Sequence, residues 1–313
     1  MLEGKVIRTT GSSYIIRVNN GELFECRIKG NFRIKNIKST NPIAVGDMVD
    51  FIAPTQTSQG LITNIHQRKN TLVRRSVNLS KRSHVIASNI DVAFLVLTIA
   101  FPQTPTGFID RFLVTTEAHQ IPTIIVFNKI DLYDEVLRLY ANEIMGIYER
   151  IGYKCIEVSA IRKDNIDLLR EIMINKTSLF SGHSGVGKSA LINAIDNTLN
   201  LKTGEISSTH LKGTHTTTFA EMFSLSFGGD IIDTPGIKSF GMFDFQKEEV
   251  ALYFPEMKER LKDCQFYNCT HEHEPNCAIK EAVEKGEIST ERYINYLNII
   301  HGEELKIEKW EDK

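Results

Sequence analysis

Apolar and polar positions alternate in short runs over the first 70 residues, and then the rhythm changes. Lys5–Arg8, Tyr14–Val18, Leu23–Ile28, Met48–Ile52 and Gly60–Ile65 each read as a half-buried strand, with tight turns at Gly11-Ser12-Ser13 and Asn19-Asn20-Gly21. Five such strands in so short a span predict a small β-barrel of the OB type, whose open face commonly binds oligonucleotides; an SH3-like barrel matches the same pattern. From Asn89 onward, unbroken apolar runs alternate with helical periodicity. Strands are expected at Val92–Leu97, Thr123–Phe127, Lys154–Val158, Thr177–Phe180 and Asp230–Ile232. Helices are expected near Gly107–His119, Glu135–Ile151, Asn165–Ile174 and Lys188–Asn197. Continuous apolar strands between amphipathic helices indicate a parallel sheet covered on both faces. Beyond Asp244 the pattern is mostly helical. The reading is therefore multidomain: a barrel over 1–70, an α/β domain over 71–243 and a helical domain over 244–313.

Composition adds three points. With 42% apolar and 24% charged residues among 313, the chain has material for several cores and little reason to be disordered. The first residues lack the apolar stretch of a signal peptide, and Val92–Phe101 is too short to span a bilayer, so a soluble, cytoplasmic protein without a membrane partner is expected. The net charge of −2 hides an asymmetry: residues 1–83 hold 14 Lys/Arg against 5 Asp/Glu, a net +9 that leaves −11 on the rest. A basic front end on an acidic body suggests that one end meets a polyanion. Of five cysteines, Cys26 and Cys155 sit in strand-like runs and read as inert core residues. The other three are clustered near the C-terminus.

The chemistry concentrates in the α/β region. Ser181 is followed by Gly182-His183-Ser184-Gly185-Val186-Gly187-Lys188-Ser189, a G-x-x-x-x-G-K-S loop between a predicted strand and a predicted helix. Glycines there let backbone N–H groups cradle phosphates, Lys188 reaches the β- and γ-phosphates, and the Ser189 hydroxyl suits Mg²⁺. Asn128-Lys129-Ile130-Asp131 follows a buried strand, at the end where open α/β sheets bind ligands. A carboxylate at Asp131 can accept from guanine N1–H and N2–H₂ together, a donor pair adenine lacks. Ser159-Ala160, one strand later, fits a companion loop whose backbone meets guanine O6. Asp233-Thr234-Pro235-Gly236 matches D-x-x-G, with Asp233 near Mg²⁺ and Gly236 sensing the γ-phosphate. Between them Gly213–Thr218 reads as a switch loop. Thr217 completes the Mg²⁺ shell in this reading, with Thr216 as the alternative. The residue after D-x-x-G is Ile237, which cannot orient a water as the Ras-like glutamine does, and His215 in the switch loop is the expected substitute. The base-reading motif precedes the phosphate loop, the reverse of the ordinary order, so the G domain is expected to be circularly permuted. GTP or GDP with Mg²⁺ is the expected ligand.

Cys264, Cys269, His271 and Cys277 offer three thiolates and an imidazole within fourteen residues, a closed tetrahedral set suited to one structural Zn²⁺; His273 competes with His271. With these motifs and that barrel, the chain resembles, over nearly its whole length, the circularly permuted small ribosomal subunit biogenesis GTPases, the RsgA family. The resemblance implies a bacterial cytoplasmic GTPase that binds the maturing 30S subunit, contacts 16S rRNA, and hydrolyses GTP mainly when ribosome-bound. A monomer is expected.

Overall fold

The computed structural model describes residues 1–10, 13–28, 42–55, 58–75, 83–201, 220–233 and 246–302. Strands β1 (Leu2–Thr9), β2 (Tyr14–Arg17), β3 (Leu23–Ile28), β4 (Met48–Ile52) and β5 (Gly60–Ile65) close a barrel in the order β1-β2-β3-β5-β4-β1. All neighbours are antiparallel except β3 and β5, which pair in parallel from Cys26↔Gly60 to Ile28↔Ile62. That pairing decides for the OB type over the SH3-like alternative. Alternation fills the interior: Val6, Tyr14, Ile16, Cys26, Val49, Phe51 and Ile62 point inward. Burial pushes the Cys26 thiol up to about 11, in keeping with an inert core residue.

A hairpin that the hydrophobic pattern did not reveal comes next, β6 (Thr71–Arg75) and β7 (Ser83–Ser88). Its position is fixed by Asp47, a fully buried carboxylate. Asp47 accepts from Ser88 Oγ at 2.6 Å, from Arg68 Nε and an Arg68 terminal nitrogen at 2.7 Å each, and from Ala44 N–H at 2.8 Å. With both oxygens satisfied, the charge ties barrel and hairpin together instead of destabilising them.

The central sheet follows the order β10 (Lys154–Glu157), β9 (Thr123–Phe127), β8 (Val92–Leu97), β11 (Thr177–Ser181), β13 (Asp230–Asp233), β12 (Glu221–Ser224). The strands are parallel except for β12, a second element not foreseen from sequence. Every residue of β8 is buried because its two faces meet different helical layers. Ala93, Leu95 and Leu97 meet α1 (Thr106–Ala118) and α2 (Glu135–Arg150) through Phe112, Leu113, Ile144 and Tyr148. Val92, Phe94 and Val96 meet α3 (Ile166–Met173) and α4 (Lys188–Ile195) through Leu169, Met173, Leu191 and Ile195. Asp134 starts α2 as its N-cap, accepting from Leu137 N–H at 2.8 Å.

The barrel continues this sheet. β1 pairs antiparallel with β12 at Arg8↔Glu221. Asp230, 5% exposed, accepts from Arg17 at 2.7 and 2.8 Å and from Lys5 Nζ at 3.1 Å. The C-terminal unit comprises α5 (Lys247–Val250), α6 (Pro255–Lys258), α7 (Ala278–Glu284) and α8 (Thr290–Ile300) around Phe254, Met257, Ile279 and Tyr296. It docks on α1 through a buried ionic knot. Arg292 bonds Asp110 Oδ1 at 2.5 Å and Glu256 at 2.5 and 3.1 Å, while Tyr148 and Asn295 bond Asp110 at 2.9 and 2.7 Å. Burial pushes the Asp110 carboxyl up and Arg292 pulls it down; the two carboxylates hold the Arg292 guanidinium charged against its own burial. Among the described residues no helix is long and apolar enough to cross a membrane.

Candidate functional site

The phosphate loop leaves β11, whose five residues through Ser181 are all buried, and ends where Gly187 caps α4 with φ 91°. Two of its glycines are dictated by neighbours. A Cβ on Gly182 would sit 2.1 Å from the Val96 carbonyl oxygen, and one on Gly187 would sit 2.6 Å from Asn128 Nδ2. Positive φ excludes most side chains at both positions as well. Lys188 Nζ donates to the carbonyls of Gly182 (2.7 Å) and His183 (2.6 Å), holding the curl of the loop. Ser189 lies buried at the start of α4, where the N-terminal N–H groups and helix field favour an anion.

Asn128 joins the two halves of the site. Its Nδ2 donates to Val186 O in the phosphate loop at 2.8 Å, and its Oδ1 accepts from Ala160 N–H at 3.3 Å. Thus the N-K-x-D segment, the Ser-Ala loop and the phosphate loop meet around one side chain. Lys129 adopts a left-handed conformation (φ 65°), runs past Gly187 and donates from Nζ to Phe101 O at 2.5 Å. Burial draws its ammonium below the usual lysine range, and nearby Asp131 opposes that shift. Ser159 Oγ donates to Asp131 Oδ1 at 2.6 Å and accepts from Arg162 N–H at 3.0 Å, so the carboxylate is oriented before any ligand arrives. Ile130 is buried beneath it.

Three contributors escaped the sequence reading. Pro102 packs its ring 3.2 Å from where a Gly185 Cβ would lie. Phe108, on α1, packs against His183 with ring centroids 3.8 Å apart and the rings tilted by 37°. Phe101 supplies the carbonyl that Lys129 grips. The only hint was the Pro-rich stretch after a buried strand, at the end of the sheet where ligands bind. His183 is held below the usual histidine range by burial and by Lys188, and its Nε2 has no partner among the described residues. β13 ends at Asp233. Thr216, Thr217, His215, Gly236 and Ile237 lie outside the described residues.

The Cys/His cluster is assembled. One ligand atom each from Cys264, Cys269, His271 and Cys277 lies within 4.8 Å of the others, with His271 Nδ1 3.3 Å from Cys277 Sγ and 3.6 Å from Cys264 Sγ. Those separations suit the edges of a tetrahedron with metal–sulfur bonds of about 2.3 Å. Burial pushes the Cys269 thiol up to about 12 and raises Cys277 against the N–H groups of Ile279 and Lys280 that point at its sulfur. Packed buried thiols of this kind ionise together only around a cation, so the donor set fits Zn²⁺. His273 is exposed and outside the cluster, which settles the choice of imidazole for His271. Tyr293 and Tyr296 of α8 donate to the carbonyls of His271 (2.7 Å) and Thr270 (2.8 Å). The same helix therefore supports the metal loop and grips α1.

Strand order, a phosphate loop following its base-reading motif, and a Cys₃His cluster define a circularly permuted P-loop GTPase with a zinc-site domain. Comparison with known proteins gives the same class. The RsgA GTPase domain profile matches residues 65–243 and the RsgA N-terminal domain profile matches residues 3–62. Small ribosomal subunit biogenesis GTPase RsgA of Flavobacterium psychrophilum is 54% identical over 97% of this chain and 94% of its own length. Its namesake from Christiangramia forsetii is 52% identical over 97% of both chains. Among solved structures, YjeQ from Thermotoga maritima superposes with a TM-score of 0.77 at 36% identity, covering 96% of this chain and 98% of its own. YloQ, a circularly permuted GTPase, superposes at 0.74 with 31% identity, covering 96% and 94%. The chain belongs to the RsgA GTPase family and is a GTP hydrolase.

Proposed function

We propose that this chain binds the maturing small ribosomal subunit in its GTP form, contacts 16S rRNA there, and uses hydrolysis as the timer for release. It acts as a cytoplasmic monomer in this reading, through a barrel over 1–70, a G domain over 71–243 and a zinc domain over 244–313. The observation that carries the guanine-nucleotide half is the pair of hydrogen bonds at Asn128, one of which joins the base-reading segment to the phosphate loop across 58 residues and the other to the Ser-Ala loop. The ribosomal half rests on the near full-length likeness to proteins named for small-subunit biogenesis.

In this mechanism Asp131 reads the guanine edge, with Ser159 fixing the carboxylate and the Ala160 N–H beside the base. Residues 181–189 wrap the phosphates with backbone N–H groups, and Lys188 turns from the loop carbonyls toward the β- and γ-phosphates. Ser189, Thr217 and Asp233 would hold Mg²⁺, which neutralises charge building on the phosphate oxygens. His215 orients the attacking water, standing in for the glutamine that Ile237 replaces, and Gly236 senses loss of the γ-phosphate. Cys264, Cys269, His271 and Cys277 would hold Zn²⁺, which fixes the fold of the loop and leaves no open coordination position for chemistry.

The deciding experiment is single-turnover hydrolysis with and without 30S subunits, together with co-sedimentation in GDP and in a non-hydrolysable GTP analogue. Stimulation by the subunit and retention only with the analogue are expected. Equal sedimentation with both nucleotides would contradict the timer, and hydrolysis that the subunit leaves unstimulated would favour a nucleotide-gated adaptor. His215→Ala is expected to cut turnover strongly with GDP affinity unchanged.

A further inference from the structure

The outward face of α2 is apolar where a surface helix is ordinarily polar. Leu137, Ala141, Ile144 and Tyr148 recur at helical spacing and face the core. Val136 and Leu139 lie off that stripe, 73% and 71% exposed, and Tyr140 beside them is 36% exposed. At spacings of three and four residues the three side chains are neighbours on one strip of the helix. Local propensity does not account for them. An exposed β-branched valine is a poorer helix former than the charged and amide residues usual at such a position. Neither the core nor the helix gains from this strip, which leaves it available to a partner.

Its borders specify the partner. Glu135 and Glu143, both exposed, lie one turn to either side of Leu139. Glu291, at the start of α8, lies near Tyr140 and accepts from Thr106 Oγ1 at 2.6 Å. Burial pushes the Tyr140 phenol up, the carboxylates of Glu291 and Glu143 add to the shift, and a hydrogen bond with Gln103 opposes it. Residues 130–149 hold five Asp/Glu against one Lys/Arg. That one, Arg138, is engaged with Glu157 at 3.7 Å. A phosphate backbone would be repelled here, and Val and Leu offer no flat ring for a base to stack on. Aliphatic anchor points bordered by carboxylates fit a protein segment that brings Lys or Arg around an apolar side chain. The barrel of a second copy suits the strip less, since Lys5, Arg8, Arg17, Arg68 and Lys69 already pair with acids of their own chain.

We propose that the strip of Val136, Leu139 and Tyr140 on α2 docks a Lys/Arg-rich segment of a small-subunit protein. The inference rests on the small-subunit reading above and adds a protein contact made by the G domain. Val136 and Leu139 are exposed, so the double variant Val136→Ser, Leu139→Ser should keep the circular dichroism and GTP affinity of the wild type. With a non-hydrolysable GTP analogue, it is expected to weaken binding of the full chain to purified 30S subunits about 5- to 30-fold. Glu143→Lys supplies a test of sign. It should weaken binding as well, because it sets a cation against cations; tighter binding would place a phosphate backbone there and overturn the proposal. A p-benzoylphenylalanine at position 139, irradiated in the complex, should cross-link to one basic protein of the subunit, identified by mass spectrometry. A cross-link to RNA or to a second copy of this chain, no cross-link, or binding by the double variant within twofold of wild type would overturn the inference alone. Failure of the wild type to bind the subunit would overturn the underlying reading and this inference with it.

Discussion

Asn128 commits both ends of its amide to protein backbone, one to Val186 O and one to Ala160 N–H, so base recognition falls to Asp131. One Asp131 oxygen is already fixed by Ser159 Oγ at 2.6 Å. An ionised carboxylate is the acceptor that suits guanine's adjacent N1–H and N2–H₂ donors. Asp131→Asn replaces part of that acceptor with an N–H₂ donor, which faces guanine's own amino group and instead complements the C2 carbonyl of xanthine. Charge-assisted hydrogen bonds contribute about 1.5–3 kcal/mol. GTP affinity should therefore fall roughly 10- to 150-fold while xanthosine triphosphate gains, as read by calorimetry. An unchanged preference for guanine would remove Asp131 from the base site. This part of the site was legible in sequence because its residues lie within four consecutive positions after a buried strand. Pro102 against Gly185 and Phe108 against His183 were not, because each contact joins residues more than 70 positions apart and neither side chain belongs to a motif.

At the scale of elements, α8 explains how a metal loop and a G-domain helix come to share one rigid support. Residues Arg292 and Asn295 face Asp110 of α1, while Tyr293 and Tyr296 face the carbonyls of the zinc loop. The ionic knot is buried, with Asp110 fully enclosed and Arg292 2% exposed, and the guanidinium also lies 4.8 Å from the centroid of the Phe254 ring. Removing one member of such a group leaves uncompensated buried charge, at a cost of about 3–5 kcal/mol. Arg292→Ala should lower stability by that amount, measured by urea denaturation, and loosen the C-terminal unit in hydrogen exchange. A loss below about 1 kcal/mol would mean that water enters and solvates the two carboxylates. The helical character of this region was readable from periodicity. The knot was not, since Asp110 sits among apolar residues of α1 and its partners come from two other helices, α2 and α8. Likewise β12 and the β6–β7 hairpin are short and end in charged or polar residues, so alternation carried too little signal to mark them.

Across the whole molecule, the permuted order places the barrel ahead of the sheet that it extends, and β13 links the two functions. One end of β13 is Asp233 of the D-x-x-G element, and the other is Asp230, clamped by Lys5 and Arg17 of the barrel. This changes the meaning of the basic front end seen in sequence. Lys5, Arg8, Arg17, Arg68 and Lys69 neutralise acids of the chain itself, at Asp230, Glu221, Asp47 and Asp91, and so hold domains together. A charge count cannot separate cations that close an internal joint from those left for a polyanion, because the partners are distant in sequence. The joint has a direct test. Asp230 is 5% exposed while Lys5 and Arg17 keep partial contact with water, so Asp230→Ala should cost about 2–3 kcal/mol, somewhat under the value for a fully enclosed pair. The barrel would then be held chiefly by the single β1–β12 pair at Arg8↔Glu221 and by the Asp47 hub. Trypsin should cut between barrel and G domain faster in the variant, and small-angle scattering should register a larger radius of gyration. GTP affinity should be unchanged, since Asp230 lies about 10 Å along the strand from Asp233. Raising salt should move the wild type only slightly toward the variant, because the carboxylate is enclosed and poorly screened. Equal cleavage rates and equal radii in the two proteins would mean that strand pairing and the Asp47 hub, and not the Asp230 clamp, fix the barrel in place.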